Sequence, residues 1–343
     1  MMQGANSDDV LVGVAVELQN DGRYRFDWSE RFSAQPVTIY GGASAGTIER
    51  HTPLLRDARP GATLAAQRPG QREYFLLERA DGSHLVVAQR NVPLAGSINF
   101  RDLGGYATAD GRRVQWGRLF RSGHMANLGA DSVPQFTDLD IRTVCDFRTT
   151  EERASEARGL PGDPRLEVLE ITPGIGDRFF FNRLFASTED PQKVIDAMHE
   201  MMRVLVLTAA PRYQRLFEVL MEAAPGAVLI NCSAGKERTG LASVLLLTAL
   251  GVPRETILYD FLLSGRYFPA EAEIPRVITK YDVKVTGEVA RRLIMPLLET
   301  RESYLQSAFA AIDERYGSGE GLLQALYGLG PDALARLRDH YTS

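Results

Sequence analysis

"VLINCSAGKERTGLASVLLLTALG" (residues 228–251) joins a short apolar run to a long one through a knot of Cys, Ser, Gly, Lys, Glu, Arg and Thr. Residues 227–230 read as a short buried strand, and residues 241–250, apolar on nearly every face, as a buried helix. Gly251 and Pro253 then stop the helix. The polar knot is therefore expected to be a strand-to-helix turn. Such a turn aims unpaired backbone N–H groups and the positive end of a helix at one point, which makes it an anion site.

Two loop chemistries suit that setting. A nucleotide-binding loop needs G-x-x-x-x-G-K-[ST], but Ile230 stands where the first glycine belongs and Glu237 where a hydroxyl should follow Lys236. The pattern C-x5-R-[ST] is matched in full by Cys232, Ser233, Ala234, Gly235, Lys236, Glu237, Arg238 and Thr239. A thiolate is a far better nucleophile than a thiol, and a helix N-terminus with cationic neighbours favours it. Arg238 can fold back so that its planar fork grips two phosphate oxygens, which lysine would not reproduce. Small Ser233, Ala234 and Gly235 leave backbone N–H groups free to cradle the other oxygens, with Lys236 adding charge. Thr239 can donate to the sulfur. The bland alternative, a small buried cysteine, loses ground to this combination.

Here the sequence resembles the tyrosine phosphatase superfamily, specifically its bacterial tyrosine/dual-specificity branch of cysteine-dependent, PtpB-like enzymes. The likeness rests on "NFRDLGGY" (99–106), "GRLFRSGHMANL" (117–128), "IRTVCDFRTTEER" (141–153) and "CSAGKERTG" (232–240), and covers most of residues 91–343, including "AFAAIDERYGS" (308–318). The resemblance implies metal-independent, cofactor-free hydrolysis in two steps, with Cys232 attacking phosphorus and water releasing phosphate from a cysteinyl-phosphate. A general acid must protonate the leaving oxygen. Asp146, in the family's Asp-Leu-Arg motif (here Asp146-Phe147-Arg148), and Glu237, inside the loop, both remain candidates. Asn231 replaces the histidine that relatives usually carry before the nucleophile. The "C-x-A-G-K-x-R-T-G" loop is also similar to that of phosphoinositide phosphatases, so the expected substrates are phosphotyrosine, with phosphoserine, phosphothreonine and phosphoinositides as alternatives. Arg101, Asp102 and Arg121, like Arg148, are expected to buttress the site or to contact substrate. Cys145 could trap an oxidised Cys232 as a disulfide. Two rivals remain: a phosphate-recognition module without turnover, and a sulfur transferase, whose shorter loop does not fit.

The rest of the chain sets the frame. At 343 residues, 44% hydrophobic and 24% charged, it has room for two globular domains. Residues 1–90 read as strands ("YRFDW", "PVTIYGG", "EYFLLER", "HLVVAQR"), with a hairpin turn at Ala80-Asp81-Gly82-Ser83, and suggest a small fibronectin- or immunoglobulin-like β-sandwich. Residues 91–97 read as a linker. Residues 91–343 alternate strand and helix patterns, so an α/β domain with a mainly parallel central sheet and a helical C-terminal third is expected. A helix opens at the capping box Thr149/Glu152 and closes at Gly159. "DRFFFNRLF" (177–185) is either a lid or an ordinary packed segment.

A net charge of −5, with no long block of one sign, excludes a nucleic-acid footprint. The N-terminus lacks the basic-then-apolar pattern of a secretory signal, and no run reaches the ~18 apolar residues of a membrane span. A cytoplasmic protein is expected. Two cysteines and five scattered histidines supply neither a disulfide framework nor a metal site. Oligomeric state is not legible.

Overall fold

The computed structural model of the chain describes residues 13–156, 160–172, 178–222 and 226–343. Among the described residues seven strands precede residue 90: β1 (Val14–Leu18), β2 (Arg23–Trp28), β3 (Val37–Gly42), β4 (Leu55–Ala58), β5 (Ala62–Ala65), β6 (Tyr74–Glu78) and β7 (His84–Ala88). They form an antiparallel three-stranded sheet, β1-β2-β5, and an antiparallel four-stranded sheet, β4-β3-β6-β7. Period-two patterning builds them: in β2, Tyr24, Phe26 and Trp28 are buried while their alternates face outward. Residues of both sheets meet in one apolar cluster, where Phe75 of β6 receives Tyr24 and Phe26 edge-on at 4.9 Å. The short β1, β4 and β5 lack the aromatic density that made the other strands legible.

Beyond residue 90 lie β8 (Arg101–Asp102), β9 (Leu119–Ser122), β10 (Ile141–Asp146), β11 (Arg165–Val168) and β12 (Ala227–Asn231), in the order β11-β10-β12-β9-β8. The expectation of a mainly parallel sheet meets a mixed one: β11, β10, β12 and β9 run parallel, and β8 returns antiparallel on β9. The expected linker is not a free tether. Val92 and Leu94 are buried, Asn91 bridges Arg101, and the Val92 N–H donates to Phe100 O at 3.0 Å. Arg72, which donates to Asp102, and the indole N–H of Trp116, which donates to Val86 O at 3.0 Å, also pin the first ninety residues against the chain that follows.

Helix Glu237–Ala249 follows β12 and is buried along most of its length. The C-terminal third is helical as read, with helices Arg254–Leu262, Ser264–Tyr267, Ala270–Tyr281, Gly287–Leu298, Glu302–Tyr316, Gly319–Tyr327 and Pro331–Tyr341. Helix Pro191–Val204 opens with an Asp190 cap and a first-turn proline, then runs through a wide turn (Leu205–Ala209) and a tight one (Ala210–Tyr213) into helix Gln214–Met221. Thr149 and Glu152 form the full capping box that starts helix Thr150–Ser155, whereas the expected stop at Gly159 lies outside the described residues. Asp177 of the aromatic segment also lies outside them. Helix Arg178–Ser187 buries Phe181 and Phe185 against Tyr281, at ring distances of 5.4 and 5.9 Å. Among the described residues no helix is long and apolar enough to cross a membrane.

Candidate active site

β12 ends beside the parallel ends of β9 and β10 and delivers Cys232 to the point where helix Glu237–Ala249 begins. The carboxyl ends of parallel strands are where open α/β sheets bind ligands. Between strand and helix the chain must turn sharply, and Gly235 makes the turn at φ +69°. A Cβ there would sit 2.4 Å from the Gly123 nitrogen. No other residue type fits.

The loop's carbonyls are held from behind. Asn99 Nδ2 donates to Gly235 O at 2.9 Å and to Ala234 O at 3.2 Å, and Arg121 Nη2 donates to Gly235 O at 2.8 Å. Carbonyls pinned outward turn their peptide planes so that N–H groups face inward. The Gly235 N–H accordingly donates to Cys232 Sγ at 3.2 Å.

A buried ionic layer anchors these pins. Arg121 Nη1 donates to Asp260 Oδ2 at 2.5 Å, and Arg101 donates to Asp260 O at 2.9 Å and Ser264 Oγ at 3.0 Å. Burial alone would push the Asp260 carboxyl upward, but Arg101 and Arg121 hold it down at about 2. Burial and neighbouring Arg101 lower Arg121 to about 10. Of the two roles left open for Arg101, this position fits the buttress: it is wholly buried behind the loop. Asp102 likewise faces away, accepting from Arg72 Nη2 and from the Gly104 and Gly117 N–H groups at 2.7–2.8 Å.

The Arg238 side chain is held by a partner that the sequence did not single out. Its Nη1 and Nη2 donate to the two oxygens of Glu152 at 2.7 and 2.9 Å, a bidentate pair that fixes the guanidinium plane. Burial pulls against both charges, yet the pair wins: Arg238 is raised, with Cys232 contributing, and Glu152 is lowered to about 2. The Tyr213 hydroxyl donates to Arg238 O at 2.8 Å. Glu152 was legible only as the capping residue whose Oε2 accepts the Thr149 N–H at 3.0 Å. It does both jobs.

The two carboxylates weighed as proton donor are differently placed. Asp146 is 2% exposed and chelated by Arg148, whose Nε and Nη2 donate at 2.8–3.1 Å while its backbone N–H donates at 3.0 Å. Asn231 Nδ2 adds a long contact at 3.5 Å, in place of the ordering expected from a histidine. Arg148 is thereby committed to Asp146 and, through Nη1, to Glu156. Glu237 lies in the first turn of its helix and pairs with Lys236 at 3.3 Å.

Other loop residues depart from the simplest expectation. Lys236 is buried and donates to Leu297 O and Leu298 O at 2.9 and 2.7 Å, capping the carbonyl end of helix Gly287–Leu298, with its Nζ 5.0 Å from the Phe268 ring centre. Its charge ties the loop's back to the C-terminal helices. The Thr239 hydroxyl is buried and has no hydrogen-bond partner among the described residues, while the Gly235 N–H donates to the sulfur. Ser233 donates its hydroxyl to Glu156 Oε1 at 2.7 Å, and its carbonyl accepts the His124 N–H at 2.8 Å.

Cys145 does not suit a redox partner. It lies level with Ile230, two residues short of Cys232. Strand spacings then put the two cysteine Cα atoms about 8 Å apart, beyond the ~7 Å limit of a disulfide. Burial pushes its thiol up to about 12, which disfavours the reactive thiolate.

Similarity to known proteins points the same way. A family model described as "Tyrosine phosphatase family" matches residues 92–343. "Putative tyrosine-protein phosphatase H16_A0669" of Cupriavidus necator is 34% identical over 287 residues, covering 77% of this chain and 97% of that protein. "Triple specificity protein phosphatase PtpB" of Mycobacterium tuberculosis is 32% identical over 265 residues, covering 69% and 94%. A "Tyrosine-protein phosphatase" of Nostoc commune is 23% identical over 188 residues, covering 55% and 62%. With the family model matching residues 92–343 and two relatives above 30% identity over more than two thirds of the chain, the chain belongs to the tyrosine phosphatase family.

Proposed function

We infer that the chain hydrolyses phosphotyrosine esters through a cysteinyl-phosphate, with Cys232 as nucleophile, Arg238 gripping two phosphate oxygens and the loop N–H groups of residues 233–238 holding the rest. One observation carries this reading: the Gly235 N–H donates to the Cys232 thiol where a helix begins, with Arg238 of that helix's first turn clamped by Glu152. Electrostatics complementary to a dianion that gains charge at its bridging oxygen is what phosphoryl transfer requires. Attack forms the S–P bond and breaks P–O; water then forms O–P and breaks S–P, restoring the thiolate. Neither step calls on a metal, since the cradle and Arg238 supply the positive charge.

Asp146 serves in this account as the anchor of Arg148 rather than as proton donor. A wider range, to phosphoserine, phosphothreonine and phosphoinositides, draws support from the triple-specificity relative. The direction of Lys236 toward Leu297 and Leu298 lends that extension no help. Residues 1–90 are read as a β-sandwich unit and 91–343 as the catalytic unit, supported by the separate apolar cluster of the former. A reducing compartment such as the cytoplasm suits a nucleophile that works only as a free thiol.

The test is turnover of p-nitrophenyl phosphate and of a panel of phosphotyrosine, phosphoserine and phosphoinositide substrates, with and without chelator, by the wild type, Cys232→Ser and Arg238→Lys. Both variants should lose activity by several orders of magnitude. Wild-type binding without turnover would leave the recognition module standing instead.

A further inference from the structure

The family match begins at residue 92, yet two arginines before that point reach into the framework that holds the phosphate loop. Arg72, two residues before β6, donates through Nη2 to Asp102 Oδ2 at 2.8 Å and to Gln89 O at 3.1 Å. Its guanidinium lies 5.2 and 5.4 Å from the ring centres of Tyr74 and Phe120. Arg90, two residues after β7, donates through Nη1 to Asp102 O at 2.9 Å and to Gly104 O at 2.8 Å, with its guanidinium 3.9 Å from the centre of the Tyr106 ring. Burial pushes the Asp102 carboxyl up, and Arg72 is foremost among the groups that pull it back. Apolar contact alone would dock the strands; buried charge costs desolvation, so its place here calls for a reason.

Two routes of buried groups lead from these arginines to the loop. Arg101 and Asp102 are neighbours in β8, and successive side chains of a strand point to opposite faces. Asp102 takes Arg72, while Arg101 turns the other way and donates to Asn99 Oδ1. That contact orients the Asn99 amide, so that Nδ2 reaches Gly235 O at 2.9 Å and Ala234 O at 3.2 Å. Ala234 O shares its peptide plane with the Gly235 N–H that donates to Cys232 Sγ, so holding the carbonyl aims the donor. On the second route Tyr106, beneath Arg90, donates its hydroxyl to Asp260 Oδ1 at 3.0 Å. Asp260 in turn holds Arg121, whose Nη2 reaches the same Gly235 O at 2.8 Å.

We propose that Arg72 and Arg90 are positioning residues for the phosphate loop, which makes the strands before residue 90 part of the catalytic framework. This rests on the phosphoryl-transfer reading of the loop given above. Neither arginine touches substrate; each fixes a residue that fixes the loop's carbonyls. A remote change that moves a reacting group by about 1 Å can cost about 10²-fold in rate.

The test is made on the full chain, with folding of each variant checked by urea titration. Arg72→Gln and Arg90→Lys should each lose about tenfold in kcat/KM on p-nitrophenyl phosphate. Inhibition by orthovanadate, which takes the five-coordinate shape of the transition state, should weaken by the same factor, and inhibition by inorganic phosphate by less. Arg72→Lys keeps a charge beside Asp102 and should recover most of the loss. In an Asn99→Ala background Arg72→Gln should cost under about twofold more, because the two act along one route. Asp102→Asn breaks the same contact from its other side and should show the same pattern, which keeps the test open if Arg72→Gln does not fold. Asp138→Asn removes another contact of the Arg72 segment, one that accepts its backbone N–H at 3.3 Å and leads to no loop residue, and should leave kcat unchanged. Lowered stability with wild-type kcat/KM and vanadate inhibition, or losses that multiply in the double variant, would overturn the proposal. Turnover surviving in Cys232→Ser would overturn the cysteinyl-phosphate reading instead, since vanadate binding reports the loop's shape without turnover.

Discussion

Glu152→Gln keeps the shape of the arginine clamp and removes its charge. In the wild type the carboxyl is held at about 2 instead of its ordinary 4.5, because Arg238, bonded at 2.7 and 2.9 Å, outweighs the opposing effect of burial. Each pH unit of displacement corresponds to about 1.4 kcal/mol, so the ionised pair stabilises the fold by roughly 3 kcal/mol at neutral pH. That agrees with the ~3–5 kcal/mol cost of removing one partner from a buried ion pair. The folded value is depressed, so the contribution is fully present above the unfolded value of 4.5 and fades as pH falls through about 2. Urea denaturation of wild type and variant should therefore differ by about 3 kcal/mol at pH 7 and by less than half of that near pH 3. The variant should also lose about 10²-fold in kcat/KM on p-nitrophenyl phosphate, since an arginine free of its seat no longer meets the transition state in register. A stability gap identical at pH 7 and pH 3 would refute the clamp.

Three further outcomes follow from the same geometry. Gly235→Ala should abolish phosphatase activity and phosphate binding, because a Cβ would meet the Gly123 nitrogen at 2.4 Å on a backbone at φ +69°; activity near wild type would contradict the turn. Asp260→Asn leaves buried Arg101 and Arg121 without their counter-charge, and should cost about 3–5 kcal/mol in denaturant titrations and weaken phosphate inhibition. Mass mapping after iodoacetamide or peroxide at neutral pH should find modification at Cys232, with Cys145 unmodified and no disulfide, as its upward-shifted thiol and the strand register require.

The strand-to-helix turn was legible because its signals are local. Cys232 to Thr239 are contiguous, and the strand and helix on either side carry their own periodicity. The capping box at Thr149 was readable for the same reason. Its second task was not, since Glu152 meets Arg238 across 86 positions of chain. Asn99, Arg121 and Asp260 act on the loop from more than a hundred residues away in sequence or through one another, and no pattern in one sequence marks such pairs. Arg101 could not be assigned to the front or the back of the loop, because a two-residue strand such as β8 carries no periodicity to fix its faces. Thr239 and Lys236 were given the partners the loop pattern suggests, whereas packing of the C-terminal helices gave Lys236 the open carbonyls of Leu297 and Leu298.

The central claim is covalent, and a denaturing quench during turnover of p-nitrophenyl phosphate, followed by peptide mass analysis, tests it most directly. One phosphoryl group should be found on the peptide that contains Cys232, and none in Cys232→Ser. Turnover at the wild-type rate by Cys232→Ser, or a phosphoryl group on any other residue, would contradict the account.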